Sequence, residues 1–124
     1  MPDDNAVIGR MKEVFAAIDR KDTRQFVAAL TGDAVFRFGS APAVHGRNAI
    51  AGAVDAFFSS IAGCRHVLHQ NWETASTFAC EGEVTYRRHD GSEITLPFAD
   101  VFDLRDDLIS GYRIYIDIAP LYAQ

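Results

Sequence analysis

The chain of 124 residues has few cysteines and no long apolar run, and its first residues are not expected to form a secretory signal. Cys64 and Cys80 form no CxxC pattern, and no histidine lies near them at metal-ligand spacing on one short segment, so both are expected to be reduced and core-like. No segment approaches the roughly 20 apolar residues of a membrane span. The sequence from Met1 to Asn5 is acidic and has no apolar run behind it, so a cytoplasmic location is expected.

A basic excess is also lacking, because 12 Lys and Arg face 17 Asp and Glu, for a net charge of -5. Phosphate binding needs clustered basic side chains, and the sequence has no run of Lys and Arg beyond the doublets Arg20-Lys21 and Arg87-Arg88. Neither nucleic acid nor an anionic membrane is therefore expected as a partner. No glycine-rich phosphate loop, GxSxG motif or His/carboxylate set at metal spacing occurs. The sequence therefore implies no metal or organic cofactor.

The residues that are present suit one folded domain over residues 1–124, with 48% hydrophobic side chains. Val7, Met11, Val14, Phe15 and Ile18 recur at helical spacing. Asp22 and Gln25 form the start of a second helix, for which Gly32 suits the end. A third helix is predicted from an Asn48 N-cap to Gly63.

Strand patterns fill most of the remaining sequence. The segment 34–38 reads as a strand that places Phe36 and Phe38 on one face, followed by a loop over 39–46. Further strands are predicted over 66–74, 78–88, 93–104 and 108–118, with turns at Asp90-Gly91 and Asp106-Asp107. Helices first and antiparallel strands after them indicate an α+β fold.

One carboxylate interrupts an apolar strand face. Ile94, Leu96, Phe98, Phe102 and Leu104 share a face with Asp100, whereas Asp103 lies on the more mixed face. Burying Asp100 costs several kcal/mol unless it is paired or protonated, which makes it a candidate functional group. The alternative is a structural carboxylate satisfied by a tyrosine hydroxyl or by backbone amides.

The remaining candidate groups are ambiguous. Trp72, Tyr86 and Phe98 could surround a cavity or form ordinary core. His45 could hang over the mouth of a pocket, and Tyr115 lies between Arg113 and Asp117 on a face that could be solvated or dimer-facing. His66 and His69 fall on opposite faces of their strand, and His89 is expected in solvent at a turn.

Several phrases of the sequence resemble the nuclear transport factor 2-like superfamily in its SnoaL-like branch. They are FAAIDRKD (15–22), TGDAVF (31–36), VHGRNAI (44–50), VTYRRHDG (84–91) and DVFDLRDDLISGYRIYID (100–117). The resemblance covers nearly the whole chain. It implies a cone-shaped fold in which a curved, mostly antiparallel sheet wraps around three N-terminal helices, with an internal pocket and frequent homodimers.

Relatives implied by this resemblance carry different chemistries, so the fold does not decide the reaction. Asp100 matches the position of the aspartate that a ketosteroid isomerase keeps protonated. Phe38, however, occupies the position of the isomerase's general base, and Val14 lies near the position of its oxyanion tyrosine, so both of these groups are missing. The comparison with a limonene epoxide hydrolase also fails. Ile114 occupies the position of an acid of that enzyme on the last strand, and Glu83-Val84-Thr85 replaces its Arg-x-Asp motif on an earlier strand. A polyketide cyclase needs a single pocket acid, which Asp100 could supply with a tyrosine or His45 as the donor.

Two function classes follow. In the first, the protein binds a small, mostly apolar molecule, and Asp100 is the acid or base of a cyclase, isomerase or dehydratase-type proton transfer. In the second, it is a non-catalytic ligand-binding or dimerisation module, and apolar side chains could even fill the pocket. The predicted catalytic groups are Asp100, His45 and Tyr115. The predicted substrate-binding residues are Phe15, Phe36, Phe38, Phe58, Trp72, Tyr86, Phe98, Phe102, Tyr112 and Ile114.

Overall fold

The computed structural model describes the backbone of residues 4–123 and the side chains of residues 7–123, so the start of the acidic N-terminal sequence lies outside it. The elements are α1 (Asp4–Asp19), α2 (Thr23–Ala28), β1 (Leu30–Phe38), β2 (Val44–His45), α3 (Arg47–Ser59), β3 (Gly63–Glu73), β4 (Thr77–Arg87), β5 (Glu93–Arg105), β6 (Leu108–Tyr115) and α4 (Ala119–Tyr122). Among these residues, no helix combines the length and apolarity needed to cross a membrane.

The six strands form one curved sheet in the order β2-β1-β6-β5-β4-β3. The β1–β6 pair is parallel, and the other neighbours are antiparallel. The predicted α+β class with a mostly antiparallel sheet is confirmed. A parallel pair needs a long crossover, which α3 and the other four strands supply between β1 and β6.

Side-chain alternation along β4 and β5 builds the core. Phe78, Cys80 and Val84 of β4 are buried on the inner face, as are Phe98 and Phe102 of β5. The helices cover this face with the buried residues Met11, Val14, Phe15, Ile50, Val54 and Phe58. The period of two in the sequence therefore corresponds directly to the inner and outer faces of the sheet.

A bulge in β3 changes which residues face inward. Leu68 pairs with Gly82 and Gln70 pairs with Glu81, so His69 is an extra residue on β3. A bulge of this kind reverses the alternation of the residues that follow it. Gly82 permits the bulge, because a Cβ atom there would lie 1.9 Å from the carbonyl oxygen of Val67.

Three local predictions need correction. The second helix ends at Ala28, and Gly32 lies within β1, because Leu30 pairs with Ile109 of β6. The N-cap of α3 is Gly46 rather than Asn48, since its φ of +87° lets the chain turn sharply out of β2. The predicted loop over 39–46 contains the short strand β2, and a short helix, α4, follows the sheet.

The predicted cap of α2 is confirmed. The backbone N–H of Gln25 donates to the Asp22 carboxylate at 3.0 Å. The turn at Asp106-Asp107 is also confirmed, and both residues have positive φ, as a type I′ hairpin turn requires.

Candidate functional site

A cavity of about 230 Å³ lies between the inner face of the sheet and the helices. Its wall is apolar except at five side chains, which are Cys64, His66, Tyr86, Asp100 and Tyr112. The lining residues are Ile18, Phe26, Phe36, Phe38, Ala41, Pro42, Val44, Ala53, Val54, Phe57, Phe58, Cys64, His66, Val84, Tyr86, Phe98, Asp100, Tyr112, Ile114 and Ile116. A molecule inside would therefore meet hydrophobic surface and very few polar partners.

Asp100 lies in the middle of β5, where it pairs with Cys80 of β4 and Ile114 of β6. Its side chain is 1% exposed, and its Oδ2 accepts a hydrogen bond from the Tyr112 hydroxyl at 2.9 Å. Within residues 7–123, Oδ1 is buried and has no hydrogen-bond partner. Asp100 is thus half satisfied, because one oxygen is held by Tyr112 while the other is buried without a partner in a residue that lines the cavity.

Burial sets the protonation state of Asp100. Removal from water raises the pKa of this carboxyl to about 8, although the hydrogen bond from Tyr112 acts in the opposite direction. At neutral pH the side chain is therefore mostly a neutral carboxylic acid. A neutral acid can donate through Oδ1 to an oxygen atom of a bound molecule, which a carboxylate cannot do.

Tyr112 is held rigidly. Its ring stacks on Phe102 with centroids 4.1 Å apart and meets Phe36 edge-on at 5.6 Å. Burial raises the pKa of Tyr112 well above its ordinary value, and the nearby Asp100 adds to the rise, so the hydroxyl remains a donor. The predicted alternative, a carboxylate satisfied by a tyrosine, therefore accounts for Oδ2 but not for Oδ1.

A second polar pair lies on the same wall. His66 Nδ1 is 2.6 Å from Asp19 Oδ1, and the His66 backbone N–H donates to Asp19 Oδ2 at 3.1 Å. The Cys64 thiol lies 3.8 Å from Asp19 Oδ1, and burial raises its pKa to about 12. Asp19, Cys64 and His66 place one ligand atom each within 4.8 Å of one another, so they could also hold a metal ion.

Most of the residues predicted to bind substrate do line this cavity. The residues on its wall are Phe36, Phe38, Phe58, Tyr86, Phe98, Tyr112 and Ile114, together with Asp100. Phe15 and Phe102 are instead buried behind the wall, where their rings pack together 5.9 Å apart. Residence on the wall does not establish a role in binding, which stays a prediction.

Three predicted residues lie away from the cavity. His45 is exposed, because it pairs with the outward-facing Val35. Tyr115 is 56% exposed and pairs with Ala99, on the face of the sheet opposite Asp100. Trp72 is 51% exposed, because the bulge at His69 turns it to the outer face. None of the three can join Asp100 in this arrangement.

The principal residues missed by sequence reasoning are His66 and Asp19. Their contact spans 47 positions, and nothing in the local pattern of either segment indicates it. A signal was nonetheless present, since Cys64, His66 and Leu68 alternate along β3 and only one of His66 and His69 can face inward. Asp19 lies at the end of an amphipathic helix whose apolar stripe faces the same core.

A family model described as a SnoaL-like domain matches residues 11–112. Among solved structures, a nuclear transport factor 2-like protein of unknown function from Burkholderia pseudomallei is similar at a TM-score of 0.83, with 18% identity over 93% of each chain. A candidate polyketide cyclase from Xanthomonas campestris has a TM-score of 0.78 and 24% identity over 95% of each chain.

An LEH-like epoxide hydrolase from Mycobacterium tuberculosis is also similar, at a TM-score of 0.80 and 17% identity, over 98% of this chain and 90% of the hydrolase. No curated protein matches the chain in sequence. Identities this low establish a shared fold and do not transfer a substrate or a reaction.

Proposed function

The chain belongs to the SnoaL-like domain family, and we propose that its cavity binds a compact, mostly apolar molecule through an oxygen atom that accepts a hydrogen bond from Asp100. In the catalytic form of this proposal, Asp100 acts as the acid in a cyclase, isomerase or dehydratase-type proton transfer. Relatives of this fold include a candidate cyclase and an epoxide hydrolase, which is consistent with chemistry in the cavity.

The size of the cavity limits the ligand. Its volume of about 230 Å³ exceeds that of an engineered cavity of roughly 150 Å³ that binds benzene. It lies below the range of roughly 300–1,000 Å³ found for drug-sized ligands. A molecule of one or two rings fits this space better than a steroid-sized one.

The observation that carries the proposal is the unpartnered Oδ1 of Asp100. A buried polar atom without a partner is costly, and such atoms are rare in folded proteins. A bound carbonyl or similar oxygen would satisfy the Oδ1 hydroxyl of the protonated acid and remove that cost. A purely structural role for Asp100 gives no reason for leaving this oxygen unsatisfied beside a cavity.

The proposal predicts that 1-tetralone binds more tightly than tetralin, which has the same two rings without the carbonyl group. At pH 6 we expect an advantage of about tenfold, since one buried hydrogen bond contributes roughly 1.4 kcal/mol. The advantage should disappear at pH 9.5, where Asp100 is mostly ionised and cannot donate. Isothermal titration calorimetry measures both affinities.

Asp100→Leu is the matched variant, because it removes the donor and retains an apolar side chain of similar size. It should bind both compounds equally. A carbonyl advantage that persists in Asp100→Leu, or that is unchanged at pH 9.5, would contradict the role of Asp100. Failure of both compounds to bind the wild type would contradict the binding proposal itself.

The non-catalytic alternative uses the same cavity and the same hydrogen bond, without proton transfer. The homodimer and the cytoplasmic location stay predictions. The exposed apolar side chains Val67, Trp72 and Tyr115 lie on strands of the sheet, which is the surface that the predicted homodimer would use.

A further inference from the structure

Tyr86 is a polar side chain of the cavity wall that the proposed function does not use. It lies near the end of β4, lines the cavity and is only 3% exposed. Its ring meets the ring of Phe57 edge-on, with centroids 5.6 Å apart. The tyrosine ring is therefore packed like the core residues around it, and its hydroxyl has a defined position.

The hydroxyl of Tyr86 makes no hydrogen bond within residues 7–123. By contrast, the Tyr112 hydroxyl donates to Asp100, and the Tyr122 hydroxyl lies 2.8 Å from that of Ser60. The Tyr86 hydroxyl is not sealed among protein atoms either, because Asp100 Oδ1 is the only sealed side-chain N or O atom without a partner in these residues. The cavity is the open space that Tyr86 borders, so the hydroxyl is accessible to a ligand there.

Burial keeps Tyr86 protonated. Removal from water raises the pKa of this phenol well above its ordinary value, and the nearby Cys64 and Asp100 add to the rise. The hydroxyl therefore keeps its proton at neutral and mildly alkaline pH and can act as a donor. Tyrosine hydroxyls in protein interiors usually have a hydrogen-bond partner, which here is left for a ligand to supply.

The charge of the cavity wall limits the kind of acceptor that suits Tyr86. Among the wall residues that the structure describes, none is Lys or Arg. His66 is the one wall residue among them that could carry a positive charge, and its Nδ1 already lies 2.6 Å from Asp19. Because a buried charge without a counter-charge is costly, a neutral acceptor such as a ketone oxygen suits Tyr86 better than a carboxylate does.

We propose that Tyr86 donates a hydrogen bond to a second acceptor oxygen of the ligand, so that the cavity selects neutral molecules with two acceptor oxygens. This inference rests on the proposed function, because Asp100 holds the first of these oxygens. Tyr86 is then a specificity-determining residue that recognises the far end of the ligand and takes no part in proton transfer.

The distance between the two donors decides the length of the ligand. Tyr86 lies six residues along β4 from Cys80, the strand partner of Asp100, which corresponds to roughly 20 Å along a flat strand. The curvature of the sheet and the length of the tyrosine side chain shorten this gap, and Asp100 is near enough to raise the pKa of Tyr86. Probes for Tyr86 must therefore cover a range of lengths.

Four diketones of increasing length test the proposal. Each is an acetophenone with a second methyl ketone in the para position, joined directly or through one, two or three methylene groups. The matched controls are 4-ethyl-, 4-propyl-, 4-butyl- and 4-pentylacetophenone, in which a methylene group replaces the second carbonyl. Isothermal titration calorimetry at pH 6 measures the affinity of each compound for the wild type and for Tyr86→Phe.

The expected result is a loss of affinity that depends on both the hydroxyl and the second carbonyl. For at least one length, the diketone should bind Tyr86→Phe about tenfold more weakly than the wild type, because one buried hydrogen bond contributes roughly that factor. The matched control should stay within about threefold. The loss should be largest at one length, since both oxygens must reach their donors at once.

Tyr86→Phe is a matched variant, because it removes only the hydroxyl. That hydroxyl has no partner within residues 7–123, so the variant should unfold at the same urea concentration as the wild type or at a higher one. A lower midpoint would show that the hydroxyl is already held by the protein, which would overturn the proposal. A merely structural tyrosine would not distinguish a diketone from its control.

A carboxylate tests the neutral class of ligand. For the diketone of the best length, replacing the second methyl ketone by a carboxylate should weaken binding to the wild type by about tenfold or more. A carboxylate that binds as tightly as the diketone would overturn the selection for neutral molecules.

The remaining outcomes separate this inference from the proposed function. If Tyr86→Phe affects every diketone and its control equally, the assignment of Tyr86 is overturned alone, while the carbonyl advantage of 1-tetralone still depends on Asp100. If neither the diketones nor the alkylacetophenones bind the wild type, both proposals fail.

Discussion

As the pH rises from mildly acidic to neutral, the wild type is expected to lose stability through Asp100, and the variant Asp100→Asn is expected not to. The pKa of this carboxyl is raised from 3.8 to about 8, chiefly by burial. Between these values the unfolded chain releases the proton of Asp100 while the folded protein retains it. Rising pH therefore favours the unfolded state, and the effect ends once the folded carboxyl also ionises.

The expected size follows from linkage. The free energy of unfolding should fall by about 1.4 kcal/mol per pH unit in this window, or about 3 kcal/mol between pH 5 and pH 7. Asparagine does not titrate, so the difference in the free energy of unfolding between wild type and variant should change with pH by this amount. A difference between the two proteins that does not depend on pH leaves this slope unchanged. Urea unfolding at several pH values, followed by circular dichroism, measures it.

Asp103→Asn is the matched control, because Asp103 lies on the opposite face of the same strand and pairs with the half-exposed Arg113 at 2.7 Å. The difference in the free energy of unfolding between Asp103→Asn and the wild type should stay nearly constant from pH 5 to pH 7. A flat difference for Asp100→Asn as well would show that Asp100 is ionised in the folded protein.

Gly82→Ala is expected to destabilise the protein by about 3 kcal/mol or more. The added Cβ would lie 1.9 Å from the carbonyl oxygen of Val67 and 3.0 Å from the Cα atom of Leu68. Both atoms belong to backbone that is held in the β3 bulge, so no side-chain rotation can relieve the contact. The midpoint of urea unfolding measures the loss.

Gly52→Ala is the control for this substitution. Gly52 is exposed in the middle of α3, and a Cβ there meets nothing within 4 Å. Alanine should stabilise the helix by up to about 1 kcal/mol, since glycine has the greater conformational entropy to lose. Equal stabilities for the two variants would mean that β3 and β4 do not approach each other as the bulge requires.

Strand periodicity was enough to predict where Asp100 lies. The residues of β5 alternate without interruption from Leu96 to Phe102, so the inner face could be read directly from the sequence. The α+β class and the family could also be predicted, because the resemblance extended over nearly the whole chain. These predictions rested on regular elements in which local pattern and burial agree.

The wrong predictions concern residues in segments where the alternation of the strand is interrupted or its pairing was not foreseen. Trp72 was predicted at the cavity because the bulge at His69, which reverses the later alternation, leaves no clear mark in the sequence. His45 was predicted at a pocket mouth, but pairing with Val35 turns it outward and leaves its neighbour Val44 on the wall. A one-residue change of phase is enough to move a side chain to the other face.

The pair of Asp19 and His66 could not be predicted for a different reason. The two residues are 47 positions apart, and their contact depends on how the end of α1 meets β3. Periodicity assigns a residue to a face but does not pair it with a distant partner. The second polar group of the cavity therefore required the structure.

Carbon-13 NMR of the Asp100 carboxyl during a pH titration, assigned with Asp100→Asn, measures directly whether Asp100 is a neutral acid at neutral pH. Because burial raises the pKa of this carboxyl, we expect a single resonance that titrates with a midpoint of about 8. A midpoint near the ordinary value of 3.8 would show a charged carboxylate, which cannot donate to a ligand oxygen, and would contradict the proposed function.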